Sequence, residues 1–398
     1  MHRLVALALV LAGMPAPRAG QAPPPAPDSE AIVHTLFLIG DAGDPAKGGE
    51  PVLIALREQL ERAPGHATVV FLGDNVYPAG LPAPGHPELA EMERRLDDQV
   101  DVVRKTGVRA VVIPGNHDWA NGRPDGWEAV RRQERRVEAR CGAGVSYLPS
   151  DGCPGPETLD VGDRLRLVAL DTQWWLHAHA RPEHPTSPCP ADAEGEVVVV
   201  FRSALESAGD RDVVVLAHHP LVSGGPHGGK FGFRQHLFPL TAWKKRLFVP
   251  LPIVGSLYPT ARRSGISTQD QTSGEYRHMR DALAGAMRGH RPLAWVSGHE
   301  HVLQVIESRE WGRVLVSGSG IYGHASHVRD VEGSLFRAAR AGFMRIDFPR
   351  SGPPRLAVLE VGKDGRYREA YARRLEKPPG GAAPAAAAGR ASSSRPSG

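Results

Sequence analysis

Short apolar runs alternate along most of the chain with longer stretches whose apolar positions recur every three or four residues. The short runs at 35–39, 68–72, 110–113, 165–170, 213–217, 293–296 and 314–317 have the length and β-branched content of buried strands. The stretches at 51–62, 88–106, 127–140, 200–208 and 276–288 carry a helical stripe. This alternation predicts an α/β fold around a central sheet. The strand-rich part between 302 and 359 predicts additional antiparallel pairing. No internal repeat is visible.

One segment breaks the pattern. Residues 231–271 hold FGFRQHLFPL and then TAWKKRLFVPLPIVGSLYPTARR, rich in aromatic, basic, Pro and Gly residues. It reads as a long insertion between two core strands, and loops of this length commonly carry function. Two roles fit, a lid and a surface that meets membrane lipid, because aromatics mixed with basic residues suit an interface. Its prolines speak against a regular amphipathic helix. The plainer reading is a packed excursion that only stabilises.

The ends of the chain differ from its middle. MHRLVALALVLAG has one Arg and then an apolar run too short to span a bilayer, so 1–22 reads as a signal peptide and the protein as exported, periplasmic or secreted. Residues 23–33 read as a linker, 34–362 as one globular unit, 363–376 as a C-terminal extension and 377–398 as a disordered low-complexity tail. The 398 residues carry a net charge of +4, a mild excess that suits anionic substrates and does not argue for nucleic acid. No obligate protein partner is evident. Of the three cysteines, Cys141 and Cys153 lie close together in a Gly/Pro-rich stretch, able to close a small disulfide loop and leave Cys189 over. There is no C-x-x-C pair to suggest a cysteine zinc site.

Five of the apolar runs end in a polar group. TLFLIG leads to Asp41-Ala42-Gly43, VVFLG to Asp74 with Tyr77 beyond, and AVVIPG to Asn116-His117-Asp118. VVVLA leads to His218-His219-Pro220, and LAWVSG to His299-Glu300-His301. Each has a simpler reading alone: a helix cap for Asp41, a turn residue for Asp74, an Asx turn for Asn116, a core histidine for His218 or His219. Sites in open α/β sheets form outside the carboxyl ends of the strands, so the five groups are expected to converge. Two Asp, an Asn and three His suit two metal ions about 4 Å apart, which clamp a phosphoryl group and activate water.

The order D-x-G, G-D-x-x-Y, G-N-H-D, H-x-P, G-H-x-H resembles the calcineurin-like metallophosphoesterases, and among them most the purple (tartrate-resistant) acid phosphatases. The resemblance spans roughly 36–320. It implies an α/β/β/α sandwich with mixed central sheets in a single catalytic domain. Most of the superfamily opens with D-x-H. Here the His position is Gly43, and the resemblance supplies the Tyr of G-D-x-x-Y, Tyr77, in its place. A phenolate is a hard anionic donor that suits Fe(III). The resemblance implies one metal on Asp41, Asp74, Tyr77 and His301, and another on Asp74, Asn116, His218 and His299. The implied pair is Fe(III) with Fe(II), Zn or Mn.

It further implies hydrolysis of phosphate monoesters, with a metal-held hydroxide attacking phosphorus. His117 contacts the phosphate and assists the leaving group, His227 is a second substrate-facing histidine, and Asp118 orients a ligand or His117. A phosphodiesterase acting on nucleotides or phospholipids is the alternative, and a non-catalytic phosphate-binding or sensor protein an alternative of another class. The fourth motif departs from the family's G-H-Y-P, since Ala217-His218-His219-Pro220 leaves His219 as a competing ligand. Trp174, Trp175, His177 and His179 form a further cluster, read first as an aromatic core edge and second as a pocket wall.

Overall fold

The computed structural model describes residues 31–63, 66–232, 237–238, 249–250 and 254–377. The expected signal peptide, nearly all of the linker, the tail beyond 377 and much of the 231–271 insertion lie outside the described residues.

The strands, in chain order, are β1 (Ile32–Ile39), β2 (Ala67–Leu72), β3 (Arg109–Ile113), β4 (Val145–Tyr147), β5 (Glu157–Val161), β6 (Leu165–Leu170) and β7 (Asp212–Ala217). They continue with β8 (Ala294–Ser297), β9 (Leu303–Ser308), β10 (Gly312–Ser317), β11 (Ser334–Ala338), β12 (Gly342–Pro349), β13 (Arg355–Val361) and β14 (Tyr367–Arg374). The helices are α1 (Pro51–Glu61), α2 (Leu89–Thr106), α3 (Gly126–Cys141), α4 (Thr172–Leu176), α5 (Glu194–Glu206), α6 (Leu257–Arg263) and α7 (Gly274–Ala286).

Among the described residues the strands form two seven-stranded mixed sheets, ordered β14-β13-β12-β1-β2-β3-β4 and β11-β9-β10-β8-β7-β6-β5. Alternation along each central strand explains how they stack. Leu36 and Leu38, Val70 and Leu72, Val111 and Ile113 join Leu167, Leu216, Val296, Val305 and Leu315 in a core between the sheets. The intervening Phe37, Ile39, Val69 and Phe71 pack instead with Val52, Leu56 and Leu60 of α1 and Leu96 and Val100 of α2. A strand covered on both faces has no polar face, which is why these strands read as unbroken apolar runs. The result is a helix–sheet–sheet–helix sandwich.

In each sheet the central parallel strands point their carboxyl ends the same way. At that edge the sheets are stitched together: Gly40 N donates to Ser317 O at 2.8 Å, and Ser317 Oγ donates to Leu38 O at 2.7 Å. The functional groups follow at this edge.

Three expectations need correction. The helix expected over 200–208 starts at Glu194, because Val197, Phe201, Ala204 and Leu205 form its buried stripe while Val199 and Val200 face outward. Packing at helical spacing overrides the strand preference of a valine run. The sheet also continues past 362, since β14 pairs antiparallel with β13. Finally, the disulfide is Cys153–Cys189, and Cys141 is free. Cys141 ends α3, and the chain then runs along β4 before reaching Cys153, so an extended strand separates the two sequence neighbours.

The bond closes a loop with a sequence separation of 36. Replacing Cys189 by Ser is expected to lower stability by about 2–4 kcal/mol in denaturant unfolding, through the freer unfolded chain. Cys141→Ser is expected to change it little; the reverse ranking would contradict this pairing. No helix among the described residues is long and apolar enough to cross a membrane.

Candidate metal centre

Each expected ligand sits where a parallel strand turns into a loop. Asp41 follows β1, Asp74 follows β2, Asn116 follows β3, His218 follows β7, and His299 and His301 follow β8. Six non-glycine residues among those described have φ in the left-handed region, and Asp41 (57°), Asp74 (54°) and His299 (66°) are three of them. Such a conformation costs on the order of 1–3 kcal/mol and persists only where the surroundings impose it. Here it turns three donors inward from tight junctions.

The donors form two clusters that share Asp74. In the first, the Tyr77 hydroxyl lies 3.1 Å from Asp41 Oδ1, 3.1 Å from Asp74 Oδ2 and 2.9 Å from His301 Nε2. One phenol proton serves one of these three acceptors. Asp41 Oδ2 is buried without a hydrogen-bond partner. In the second, Asn116 Oδ1 lies 3.1 Å from both His218 Nε2 and His299 Nδ1, and His218 Nε2 is 3.4 Å from Asp74 Oδ1. His218 Nδ1 donates to Leu72 O at 2.8 Å and His299 Nε2 donates to Gln269 O at 3.0 Å. Their opposite ring nitrogens therefore face the cluster, as a carbonyl behind the ring orients a metal-binding histidine. Oxygens and lone-pair nitrogens converging with too few protons between them fit cations in both places.

Electrostatics agree. Burial opposes charge on Asp74, yet His218 and His117 outweigh it and hold the carboxyl well below its ordinary range. Burial likewise opposes charge on His218, but Asp74 lifts it to about 9, so the cluster draws in positive charge. Burial, then Asp41 and Asp74, push the Tyr77 phenol well above its ordinary value.

Gly43 has a structural reason. Tyr77 N donates to Gly43 O at 3.0 Å, and a Cβ at 43 would lie 2.5 Å from Asp74 O and from Val76 N. The loop that delivers Tyr77 occupies the space a side chain at 43 would need. Gly115 is under the same constraint, its Cβ falling 2.4 Å from Asp74 N and Oδ1.

A family model for calcineurin-like phosphoesterases matches residues 34–303. The chain belongs to the calcineurin-like phosphoesterase family. Solved structures share the fold at low identity. GAP50, described as the anchor in the inner membrane complex of Plasmodium, is 15% identical with a TM-score of 0.53, covering 86% of this chain and 88% of its own. Purple acid phosphatase PPD1 from yellow lupin seeds is 15% identical with a TM-score of 0.52. That match covers 87% of this phosphoesterase and 55% of the lupin chain, so this chain spans about half of the lupin protein. No curated protein matches the sequence.

Around the phosphoesterase clusters, the remaining expected residues divide. His117 is partly exposed, donates from its backbone N to Asp74 Oδ1 at 2.9 Å and from Nδ1 to Pro78 O at 2.6 Å, and packs its ring 4.5 Å from Tyr77. His227 packs its ring 4.1 Å from His299. One histidine thus flanks each cluster. His219 has both nitrogens engaged, Nδ1 with the Thr172 hydroxyl at 2.8 Å and Nε2 with Gln269 Oε1 at 2.9 Å. Those bonds favour His218 over His219 as a metal donor, and His219, His218 and His299 also lie close enough together to hold an ion.

Asp118 points away from the clusters. Its buried carboxylate accepts from Asn75 N (2.9 Å), Val76 N (3.1 Å), Asn75 Nδ2 (3.0 Å) and Gly115 N (2.8 Å). It ties the Asp74 loop to the Asn116 loop, a positioning role exerted on the ligand-bearing loops and not through a hydrogen bond to the His117 ring. Burial, then Asp74, push it up to about 7. Asp118→Ala leaves four buried N–H donors unmet and is expected to cost about 3 kcal/mol or more in denaturant unfolding. A loss below 1 kcal/mol would show that the two loops hold without it.

Trp174, Trp175 and His177 are buried and His179 is exposed. Trp119 packs on His177 at 4.8 Å and donates from Nε1 to Asp171 at 2.7 Å. The cluster is a core edge behind the Asn116 loop. Residues with no motif also reach the centre: Gln269 and Asp270, at the described end of the insertion, and His324, stacked 6.4 Å from His301.

Proposed function

We propose that this phosphoesterase hydrolyses phosphate monoesters at a dinuclear centre. The observation that carries the reading is the pair of donor clusters sharing Asp74, one completed by Tyr77 and the other by Asn116. When bound, two ions would hold phosphate oxygens and lower the pKa of a water. Asp41, Asp74, Tyr77 and His301 would hold one ion, and Asp74, Asn116, His218 and His299 the other. The hard donor set around Tyr77 supports Fe(III) there, with Fe(II), Zn or Mn beside it.

The chain's own groups supply the rest. His117 and His227 flank the clusters with Nδ1 committed to backbone or carboxylate acceptors. That leaves Nε2 of each, the His117 one 3.9 Å from Asp74 Oδ2, to hydrogen-bond a phosphoryl oxygen and hold a proton for the departing alkoxide. The sandwich edge buries the second cluster and the two carboxylates of the first, which strengthens the charge interactions there. Export of the protein, contact of the insertion with lipid, and a small phosphorylated substrate belong to the same proposal; the Cys153–Cys189 bond supports an oxidising compartment.

Protein loaded with Fe, Zn or Mn is expected to turn over p-nitrophenyl phosphate faster than bis-p-nitrophenyl phosphate, and to lose activity with a chelator. Preference for the diester, or for nucleotide or phospholipid diesters, would replace the monoesterase by a phosphodiesterase. No turnover of either with both ions bound would favour a binding or sensor protein, a reading that the anchor described among its fold neighbours keeps in view.

A further inference from the structure

Three residues at the end of the insertion, Gln269, Asp270 and Gln271, touch three of the site's histidine-bearing segments. Gln269 O accepts from His299 Nε2 at 3.0 Å and from His227 Nδ1 at 3.1 Å. The Gln269 side chain accepts from His219 Nε2 at 2.9 Å through Oε1 and donates to Gln173 Oε1 at 3.0 Å through Nε2. Asp270 is buried, lies 3.1 Å from His227 Nδ1, and is held by both Nε and Nη2 of Arg262 from α6, whose Nη2 is itself 3.0 Å from that Nδ1. Gln271 N donates to His227 O at 2.9 Å, and its side chain donates to Pro220 O at 3.4 Å.

We propose that segment 267–271 is a clamp built into the metal centre, in which Gln269 positions His299 and His219, and Asp270 positions His227. This rests on the dinuclear reading above.

The chemistry of each contact supports it. Imidazole presents one lone pair to a metal only when its other nitrogen carries the proton, and a carbonyl at that other nitrogen fixes the choice. Gln269 O does this for His299 and leaves Nδ1 toward Asn116. A backbone carbonyl holds its place only as well as its residue does. The Gln269 side chain, pinned between His219 and Gln173, supplies that anchorage. It also engages the second nitrogen of His219, keeping that ring as a wedge 4.4 Å from His299 and 5.0 Å from His218 rather than as a ligand. Asp270 does for His227 what Gln269 O does for His299. The ion pair with Arg262 holds the carboxylate on the Nδ1 side, and Nε2 is left for substrate. A plain packing excursion would meet the sandwich through apolar side chains. This segment meets it through polar atoms, aimed at His219, His227, His299 and Pro220 and at Gln173.

The test uses the full chain, stripped with chelator, with Gln269→Ala, Asp270→Asn and the ligand control Asn116→Ala. Zn²⁺ binding is followed by competition against a chromophoric chelator, kcat and KM on p-nitrophenyl phosphate, and the melting temperature of the stripped proteins. The wild type is expected to bind two ions and Asn116→Ala one of them tightly. Gln269→Ala is expected to bind one ion 10–100-fold more weakly and the other unchanged, as loss of a group that holds a ligand's far nitrogen does. Asp270→Asn is expected to keep both affinities and lose about tenfold or more in kcat with little change in KM. Two ions in the wild type, one in Asn116→Ala, and wild-type affinities and kcat in both clamp variants would overturn the clamp alone. So would variants that lower only the melting temperature. A wild type that binds no pair of ions overturns the dinuclear reading and the clamp together.

Discussion

Replacing Asp74 by Asn is expected to remove metal retention and turnover together, with a loss on the order of 10³-fold or more in kcat/KM. Asp74 contacts both clusters, lying 3.1 Å from Tyr77 and 3.4 Å from His218. Asparagine keeps the shape and an oxygen for the His117 N–H but cannot bridge two cations with a negative charge. Thermal unfolding separates this from misfolding. A metal at 1,000 times its Kd stabilises the wild type by about 4 kcal/mol, and the variant should gain little. The stripped proteins differ in a pH-dependent way whose sign follows from the depressed Asp74 pKa. The charge on Asp74 stabilises the fold above the ordinary Asp value of about 3.9, and that contribution fades as pH falls through the depressed folded value. Stripped D74N should therefore be somewhat less stable than stripped wild type at pH 7, and the gap should close in acid. Full activity with two bound ions in D74N would remove Asp74 as the bridge and the paired clusters with it.

The parts of this fold that sequence reveals are those buried on both sides. β1, β2, β3, β6 and β7 read as continuous apolar runs because one face meets the other sheet and the other meets helices. The ligands are legible for the same reason: a buried run that stops at Asp, Asn or His marks the edge where the chain leaves the core. The strands that escaped notice, β4, β5 and β14, lie at sheet edges, β4 only three residues long and the other two with half-exposed patterns. Tyr367–Arg374 carries Arg368, Glu369, Arg373 and Arg374, charges that protect an edge from further pairing and also disguise a strand. Cysteine pairing was out of reach because β4 moves Cys153 away from Cys141, a matter of path and not of spacing. Asp118 shares a motif with His117, and sequence has no means of showing that its partners are the backbone N–H groups of the neighbouring loops. Gln269 is the limiting case. Its most useful atom is a backbone carbonyl, which every residue has.

Tyr77→Phe carries the second large effect, on the identity of the metal rather than on its presence. Burial and two carboxylates hold the phenol proton far more tightly than in water, so only a strongly charged cation at the first cluster can displace it. Fe(III) is such a cation, and a phenolate bound to it absorbs visible light. Wild type loaded with iron is expected to be purple, to bleach in Tyr77→Phe, and to lose ferric ion from that variant on dialysis while Asn116 and His218 still hold the neighbouring ion. Loss of one ion and one band together would tie the colour to this one oxygen. A colourless wild type, active with Mn²⁺ or Zn²⁺ and changed less than about tenfold by Tyr77→Phe, would mean that the phenol keeps its proton and serves as a hydrogen-bond donor to Asp41, Asp74 or His301. The close approach of Gly43 to the Asp74 loop would then be a device for placing that donor, and the two ions would both be divalent.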